Sequence, residues 1–501
     1  MCYKKGMFYI IFALLASFVG ATFTGCAAPA AQGQSVVYGI TTEPDHLDPF
    51  IAASADSRFI LFNVYEGLLK PAPDGSLVPA IAEGYTVSDG AKTYTLPIKQ
   101  DIVFHNGKTL DIDDVLYSLR RSAFDLQNTL LANVDTIEKI DERTLRITLK
   151  QSDFEFYYSL TTPIVPADSA NLDKEPVGTG PFMFQSFTPQ YELAFKKFEQ
   201  FRDAGVPRID LITFRVKNDY NTVFRDLQAG SIDAGTIDSS SADLLDKNTF
   251  SVLEDSTFMV QALWLNNKNA KLSDVRVRQA ISYAIDIDNV IALAHNGRAK
   301  RAASPVIPAL TMSYNSALEN AYSQNIEKAK ALLDEAGFAN GFDLTITVPA
   351  DYEPHVNAAQ VIAEDLAKIG VRAKIIQVDF NTWLTDVYTN RNYEATVVSV
   401  DGTTISPRSF LFRYESGANR NFINYQNAQY DALYQKVLVE KDENARVRIY
   451  QDLQKMLVDD AASVFLCDIS AMRVFKKEVK GFTPYPLSVF DAAMLYIDSK
   501  K

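Results

Sequence analysis

The side chains best suited to chemistry in this chain are four histidines and three cysteines, and their spacing argues against most of what such residues do. His46, His105, His295 and His355 lie far apart, none has a second His or Cys at metal-ligand spacing, and no H-E-x-x-H occurs. There is no G-x-S-x-G elbow, no P-loop and no G-x-G-x-x-G. Carboxylates are plentiful, so a paired acid and base stays open, but no positive signal points to an enzyme. Neither a resident metal nor another cofactor is expected. Cys467 ends the run Ala462-Ser-Val-Phe-Leu-Cys467, which reads as a buried strand. A thiol there is expected to be an inert small hydrophobe rather than a nucleophile.

The other two cysteines belong to the N-terminal segment. Lys4 and Lys5 precede the apolar stretch Met7–Val19, and small residues lead on to Phe23-Thr24-Gly25-Cys26. That order predicts a secretory signal over 1–25, cleaved before Cys26, with lipid on the new N-terminus. An uncleaved anchor helix is the alternative, but the apolar run falls short of the ~18–20 residues that span a bilayer. Residues 26–35, small, polar and bearing Pro29 and Gly33, read as a flexible tether. The expected location is the cell envelope, outside the cytoplasmic membrane. With Cys2 removed and Cys26 modified, Cys467 is left alone and no internal disulfide is expected.

Hydrophobic residues make up 47% of the 501, with no later long apolar run, as in a globular body of two or three domains. The formal charge of −13, or −15 once Lys4 and Lys5 are gone, disfavours nucleic acid and anionic membrane surfaces as partners.

The elements that must position any site are clearest in the second half. Asn325 is placed to cap a helix over Ile326–Ala336 that Gly337 stops. Phe342, Leu344, Ile346 and Val348 alternate with polar residues as in a half-buried strand. His355–Ile369 carries a helical stripe, and Val371–Val378 and Glu394–Val400 read as further strands. Strand, helix and strand in that order predict a βαβ crossover and an α/β lobe. Val36–Ile40, Tyr94–Ile98 and Thr144–Leu149 read as strands in a first half richer in turns.

Five stretches then carry a resemblance. They are Glu43–Pro49 (EPDHLDP) with Val64–Leu69 (VYEGLL), Asp101–Ser118 around DIVFHNGKTLDIDD, Val177–Phe182 (VGTGPF), Asp274–Asp286 (DVRVRQAISYAID), and Asn421–Tyr425 (NFINY) with Asp431. In order and approximate spacing they resemble the family 5 extracellular solute-binding proteins of peptide and nickel ABC importers, the oligopeptide-binding type. The match runs from residue 36 to the C-terminus. Each stretch has a structural reading of its own: Gly178–Pro181 is a turn that admits close backbone approach, and Ser273 or Asp274 can cap a helix striped with Val277, Ile281 and Ala284.

The resemblance implies two α/β lobes joined by a hinge, with an extra domain inserted in the first. The implied spans are 36–65, 171–262 and 485–501 for the first lobe, 66–170 for the extra domain and 263–484 for the second lobe. It also implies a monomer that closes on an oligopeptide or dipeptide and hands it to a membrane permease with its ATPase. Nickel chelates, oligosaccharides and a sensor role without transport are the alternatives that the same scaffold leaves open. Asp401 takes the place of an Asp that pairs with a peptide α-ammonium in relatives; read from the residues alone, Asp401-Gly402 is equally a turn pair. Relatives usually carry Trp three positions earlier, where this chain has Val398. Phe380 falls at the position of a cleft aromatic, with core packing as the competing account, and Trp383 is expected in the core. Backbone groups of Ala52, Ala53 and Ser54 and of Val398 to Val400 are the implied edges for an extended ligand. His355 and Arg391 fall near positions that meet a peptide carboxylate in some relatives, against a plain reading of both as solvated surface residues.

If Cys26 carries the lipid, Cys26→Ser is expected to release the protein from the membrane fraction or to leave the precursor uncleaved. Unchanged attachment with unchanged mass would refute the lipoprotein expectation.

Overall fold

The computed structural model describes residues 33–126, 128–402 and 404–498; the expected signal segment and Cys26 lie outside the described residues. One strand, Ser463–Lys476, organises the rest. Its first half pairs antiparallel with Met259–Leu265, and its second half pairs with Ala234–Ile237 and with Phe250–Ser256. The sheet therefore runs without a break through two lobes. In order its strands are Val371–Val378, Phe342–Pro349, Ala395–Asp401, Met259–Leu265, Ser463–Lys476, Ala234–Ile237, Ser35–Ile40, Leu211–Val216, Glu192–Lys197 and Phe182–Thr188.

The second lobe forms as its sequence pattern predicts. Phe342–Pro349 and Val371–Val378 pair in parallel, in register from Phe342 with Val371 to Pro349 with Val378. Parallel strands need a crossover, supplied by the helix Glu353–Ala367, which buries Ala358, Ala359, Ile362 and Leu366 against them. Pro354 sits in the first turn, where its missing N–H costs nothing. The preceding helix starts where Asn325 accepts the N–H of Lys328 at 2.9 Å and gives way to Gly337 at φ +84°. Asp274, not Ser273, caps the helix Val275–Ala284.

A separate four-stranded antiparallel sheet, Thr86–Ser88, Thr93–Pro97, Thr144–Leu149 and Val134–Lys139 in that order, packs with the helix Ile112–Arg120 around its own core. This body also touches the second lobe. Arg408 Nη1 meets the fully buried Asp153 at 2.6 Å, while Ser406 and Tyr450 donate to Glu155 at 2.8 and 2.5 Å.

The chain passes between the lobes at 256–258 and at 468–470, which displaces two of the expected boundaries. Met259–Leu265 already pairs with Ala395–Asp401, so the second lobe begins before 263. Residues 472–475 pair with Ala234–Ile237, so the return to the first lobe comes well before 485. Backbone pairing, absent from the motifs, decides both points.

Asp468 sits at this passage with 2% of its surface exposed. It accepts hydrogen bonds from Ser256 Oγ and, at 3.0 Å, from Thr257 Oγ1, tying one crossing to the other. Burial pushes its carboxyl up from 3.8 to about 6, against those bonds. A value raised in the folded state means stability that is present below pH 4 and lost as pH rises through 6. The melting temperature of the wild type relative to Asp468→Asn is therefore expected to fall between pH 4 and pH 7. A difference that stays constant or grows in favour of the wild type, read by calorimetry, would refute this.

Candidate ligand-binding cleft

The cleft between the lobes encloses about 250 Å³. On the first-lobe side its wall is the start of the short helix Ala55–Leu61. Ser54 caps that helix by accepting from Ser57 N at 3.0 Å, and Asp45 holds both serine hydroxyls, at 2.8 Å for Ser54 Oγ. The helix then presents Asp56, Arg58 and Phe59 to the cleft. The second lobe supplies the end of Ala395–Asp401 and a run of aromatics. Tyr352 packs edge-on to Phe380, Phe380 stacks on Trp383 at 5.8 Å and 14°, and Tyr388 follows at 5.9 Å.

Polar contacts between side chains of opposite lobes span the cleft at the helix Ala55–Leu61. Arg58 Nη2 donates to both oxygens of Asp401, at 2.8 and 2.6 Å, while its Nη1 is fixed on the carbonyl of Ala53 at 2.9 Å. Tyr352 O–H donates to Asp56 Oδ2 at 2.5 Å. Burial pushes Asp56 up to about 6, opposed by the Tyr352 bond and the Arg58 charge.

Behind them lies a neutral network. Gln261, fully buried, donates through Nε2 to the Pro354 carbonyl at 3.2 Å and to His355 Nδ1 at 2.9 Å. Its Oε1 accepts from His295 Nε2 at 2.9 Å and from Cys467 Sγ at 3.8 Å. Burial lowers His295 to about 4 and His355 to about 3, so both are uncharged at neutral pH. Burial also pushes the Cys467 thiol well up, as an inert thiol requires. A neutral imidazole accepts at one nitrogen only, so His355 cannot accept from Gln261 and from Ser399 N, 3.3 Å from its Nε2, at once. Ser399 Oγ is buried without a hydrogen-bond partner.

Positive charge gathers around Asp401. Arg413, 4% exposed, donates from Nη2 to the Asp401 carbonyl at 2.8 Å and, among the described residues, meets no carboxylate. Arg420 lines the same corner, and among the described residues its guanidinium makes no hydrogen bond or ion pair. Burial, then the like charges of Arg58 and Arg413, push its pKa down.

Of the residues singled out from sequence, Asp401, Phe380, Val398, Val400, Ala53, Ser54 and His355 line the cleft. His355 is 6% exposed, so its reading as a solvated residue fails; Gln261 and Tyr352 hold it inside. Arg391 lies away from the cleft, donating to Asn424 Oδ1 and the Asn419 carbonyl at 3.1 Å each. Ala52–Ser54 offers no strand edge: Ala52 N–H goes to the Asp48 carbonyl, and Ala53 and Ser54 N–H go to the Asp45 carboxylate. Val398 O accepts from Trp264 Nε1 at 2.8 Å, but the cleft side of Ala395–Asp401 pairs with a neighbouring strand only at Ala395 and Thr396. Trp383 is 4% exposed and donates to Thr396 Oγ1 at 2.9 Å, so it is core and cleft wall together. Arg58, Asp56, Tyr352, Arg413 and Arg420 carried no sequence signal. Each stands alone in a segment whose pattern describes only local structure.

Residues 76–422 match the model of bacterial extracellular solute-binding proteins, family 5. The glutathione-binding protein GsiB of Pectobacterium atrosepticum is 27% identical over 495 residues, covering 94% of this chain and 96% of that one. The dipeptide-binding protein of Escherichia coli K12 is 26% identical over 533 residues, 97% of each chain. Among solved structures, the binding protein AgaA of A. tumefaciens R10 in complex with agropinic acid superposes with a TM-score of 0.85 at 28% identity, covering 93% of this chain and 99% of AgaA. With a continuous sheet through two lobes and a ligand-sized cleft between them, this chain belongs to the family 5 extracellular solute-binding proteins, the extracytoplasmic substrate-binding components of ABC importers, which are not enzymes.

Proposed function

We propose that this chain captures short peptides or peptide-like acids in the interlobe cleft and delivers them to a membrane permease, from a lipid anchor on Cys26. The observation that carries the ligand class is the corner at Asp401: a carboxylate at the end of a strand whose cleft side pairs with no strand beyond Thr396, beside two guanidinium groups that have no carboxylate partner among the described residues. An ammonium on Asp401, a carboxylate on the arginines and main-chain bonds along 397–400 are the three contacts a peptide offers. The dipeptide- and glutathione-binding relatives agree with that class. The volume of about 250 Å³ favours a dipeptide-sized solute over a long oligopeptide, since sites for drug-sized ligands run from ~300 to 1,000 Å³. The aromatic wall of Tyr352, Phe380 and Tyr388 takes over the surface that Val398 is too small to supply. Micromolar affinity, about −8 kcal/mol, would suit capture followed by release.

Closure works only if the ligand favours the closed arrangement over the open one. Arg58–Asp401 and Asp56–Tyr352 already bridge the lobes, so the ligand adds to bridges the protein makes itself. A dipeptide is expected to raise the melting temperature as ln(1 + [L]/Kd), about 2.7 kcal/mol of stabilisation at one hundred times Kd. A nine-residue peptide is expected to give no shift, and the reverse order would refute the size assignment.

The role of Asp401 is open to a double-mutant cycle. Asp401→Asn is expected to weaken a free-amino dipeptide by two to three decades or more, the roughly 3–5 kcal/mol of breaking a buried charge pair. N-acetylating the dipeptide should cost the wild type about as much and the variant far less, because both changes remove one contact. Additive losses by calorimetry would mean that Asp401 and the amine do not meet, leaving Asp401 as the partner of Arg58 alone.

A further inference from the structure

The extra body is tied by chain to the first lobe alone. Its core runs from Leu68 to Ile164, while Val64 and Val165, on either side of that span, both pack in the first-lobe core. Buried contacts fix it there: Arg202 holds Glu66 at 2.6 and 2.8 Å, Arg121 reaches Asp48 at 2.6 Å, and His105 Nε2 lies 2.9 Å from the Gly180 carbonyl. With the second lobe it shares contacts and no chain link. Asp153, its side chain fully buried, takes Arg408 Nη1 at 2.6 Å. Phe154 N–H reaches the Leu438 carbonyl at 3.3 Å. Glu155 accepts from Ser406 Oγ at 2.8 Å and Tyr450 O–H at 2.5 Å, with Arg446 Nε at 3.5 Å. Three successive residues of the extra body thus grip the second lobe. A rotation of the lobes about 256–258 and 468–470 carries the extra body with the first lobe and parts all three from their partners.

We propose that Asp153, Phe154 and Glu155 form a latch outside the cleft that holds the two lobes closed in the absence of ligand. The latch acts whatever solute the cleft takes, so it stands apart from the peptide reading above. Every partner in it is the protein's own, and its contribution is therefore present in the empty protein. A buried ion pair adds little net stability when both ions return to water, but a pair half parted leaves each ion dry and unmatched. The contact is accordingly made in full or given up, which favours two discrete arrangements over a graded opening. Neutralising Asp153 alone shuts the Arg408 guanidinium, 11% exposed, against the extra body without its counter-charge. In the open arrangement water reaches that guanidinium, so the loss falls on the closed state. The latch also serves the cleft. Ser406 and Arg408 lie on the segment between Asp401 and Arg413, and Arg413 returns to the Asp401 carbonyl at 2.8 Å. Docking of the extra body and fixing of that segment are one event.

Small-angle scattering on the purified mature protein, stripped of bound solute by denaturation, dialysis and refolding, reads the balance of closed and open forms. Asp153→Asn and Arg408→Gln are each expected to lower the ligand-free closed-to-open ratio at least tenfold, seen as a larger radius of gyration with an unchanged circular dichroism spectrum. Asp153→Asn combined with Arg408→Gln leaves no ion unmatched and is expected to recover most of the wild-type compactness. Single variants as compact as the wild type would overturn the latch, even with a lowered melting temperature, since the contact would then belong to the fold and not to closure. A double variant more open than either single would overturn it too, because the two charges would be acting separately. If the Asp153 and Arg408 variants do not refold, Glu155→Gln, which keeps the shape of the side chain, decides: a radius of gyration larger than that of the wild type supports the latch, and an unchanged one overturns it.

Discussion

The two lobes share one hydrogen-bonded sheet, and this continuity is the constraint on which the rest depends. Two strands cross between the lobes, and the longer, Ser463–Lys476, pairs with second-lobe strands through its first half and first-lobe strands through its second. Backbone pairing cannot be given up cheaply inside a protein, so relative motion is confined to the few residues where the partner strand changes. Those residues are 256–258 and 468–470, where Asp468 is buried against Ser256 and Thr257. Each lobe packs its own core on either side of this passage. The cleft exists because the cores are separate while the sheet is not.

Within that frame, the cleft is built from charges that fold-stabilising contacts leave half satisfied. Arg58 and Asp401 come from opposite lobes and meet in it, so the pair forms only when the lobes approach. The Gln261 network behind them is arranged differently. Its two histidines are kept neutral by burial and share one amide. It supplies shape and hydrogen bonds without charge, whereas the Asp401 corner supplies charge of both signs. The corner is thus the charged part of the cleft lining, and the network is its neutral part.

The extra body acts on the same corner from outside. The segment that leaves Asp401 runs directly into Ser406 and Arg408, which bond Glu155 and Asp153. Arg413, on the next turn, returns to the Asp401 carbonyl. The position of the Asp401 carboxylate is thus held by its strand, by Arg58 from the first lobe and by a loop pinned to the extra body. The fold brings three bodies to bear on one side chain.

Local pattern by itself determined the α/β character and much of the second lobe, while the two-lobe architecture came from the family resemblance. The alternation in Phe342–Pro349, the stripe of the helix that follows it and the caps at Asn325 and Gly337 are short-range effects, and the structure contains them where the pattern places them. The buried, inert state of Cys467 follows in the same way from its apolar neighbours. Asp401 and Phe380 lie outside the five motif stretches and were carried over by position from relatives; both line the cleft. What only the tertiary structure decided is which residues meet. Arg58 and Asp401 are 343 residues apart, as no periodicity could report. His355 is drawn inward by Gln261 and Arg391 outward by Asn419 and Asn424, although both were read alike. The lobe boundaries moved for the same reason, since strand pairing is a property of two segments and sequence pattern describes one at a time.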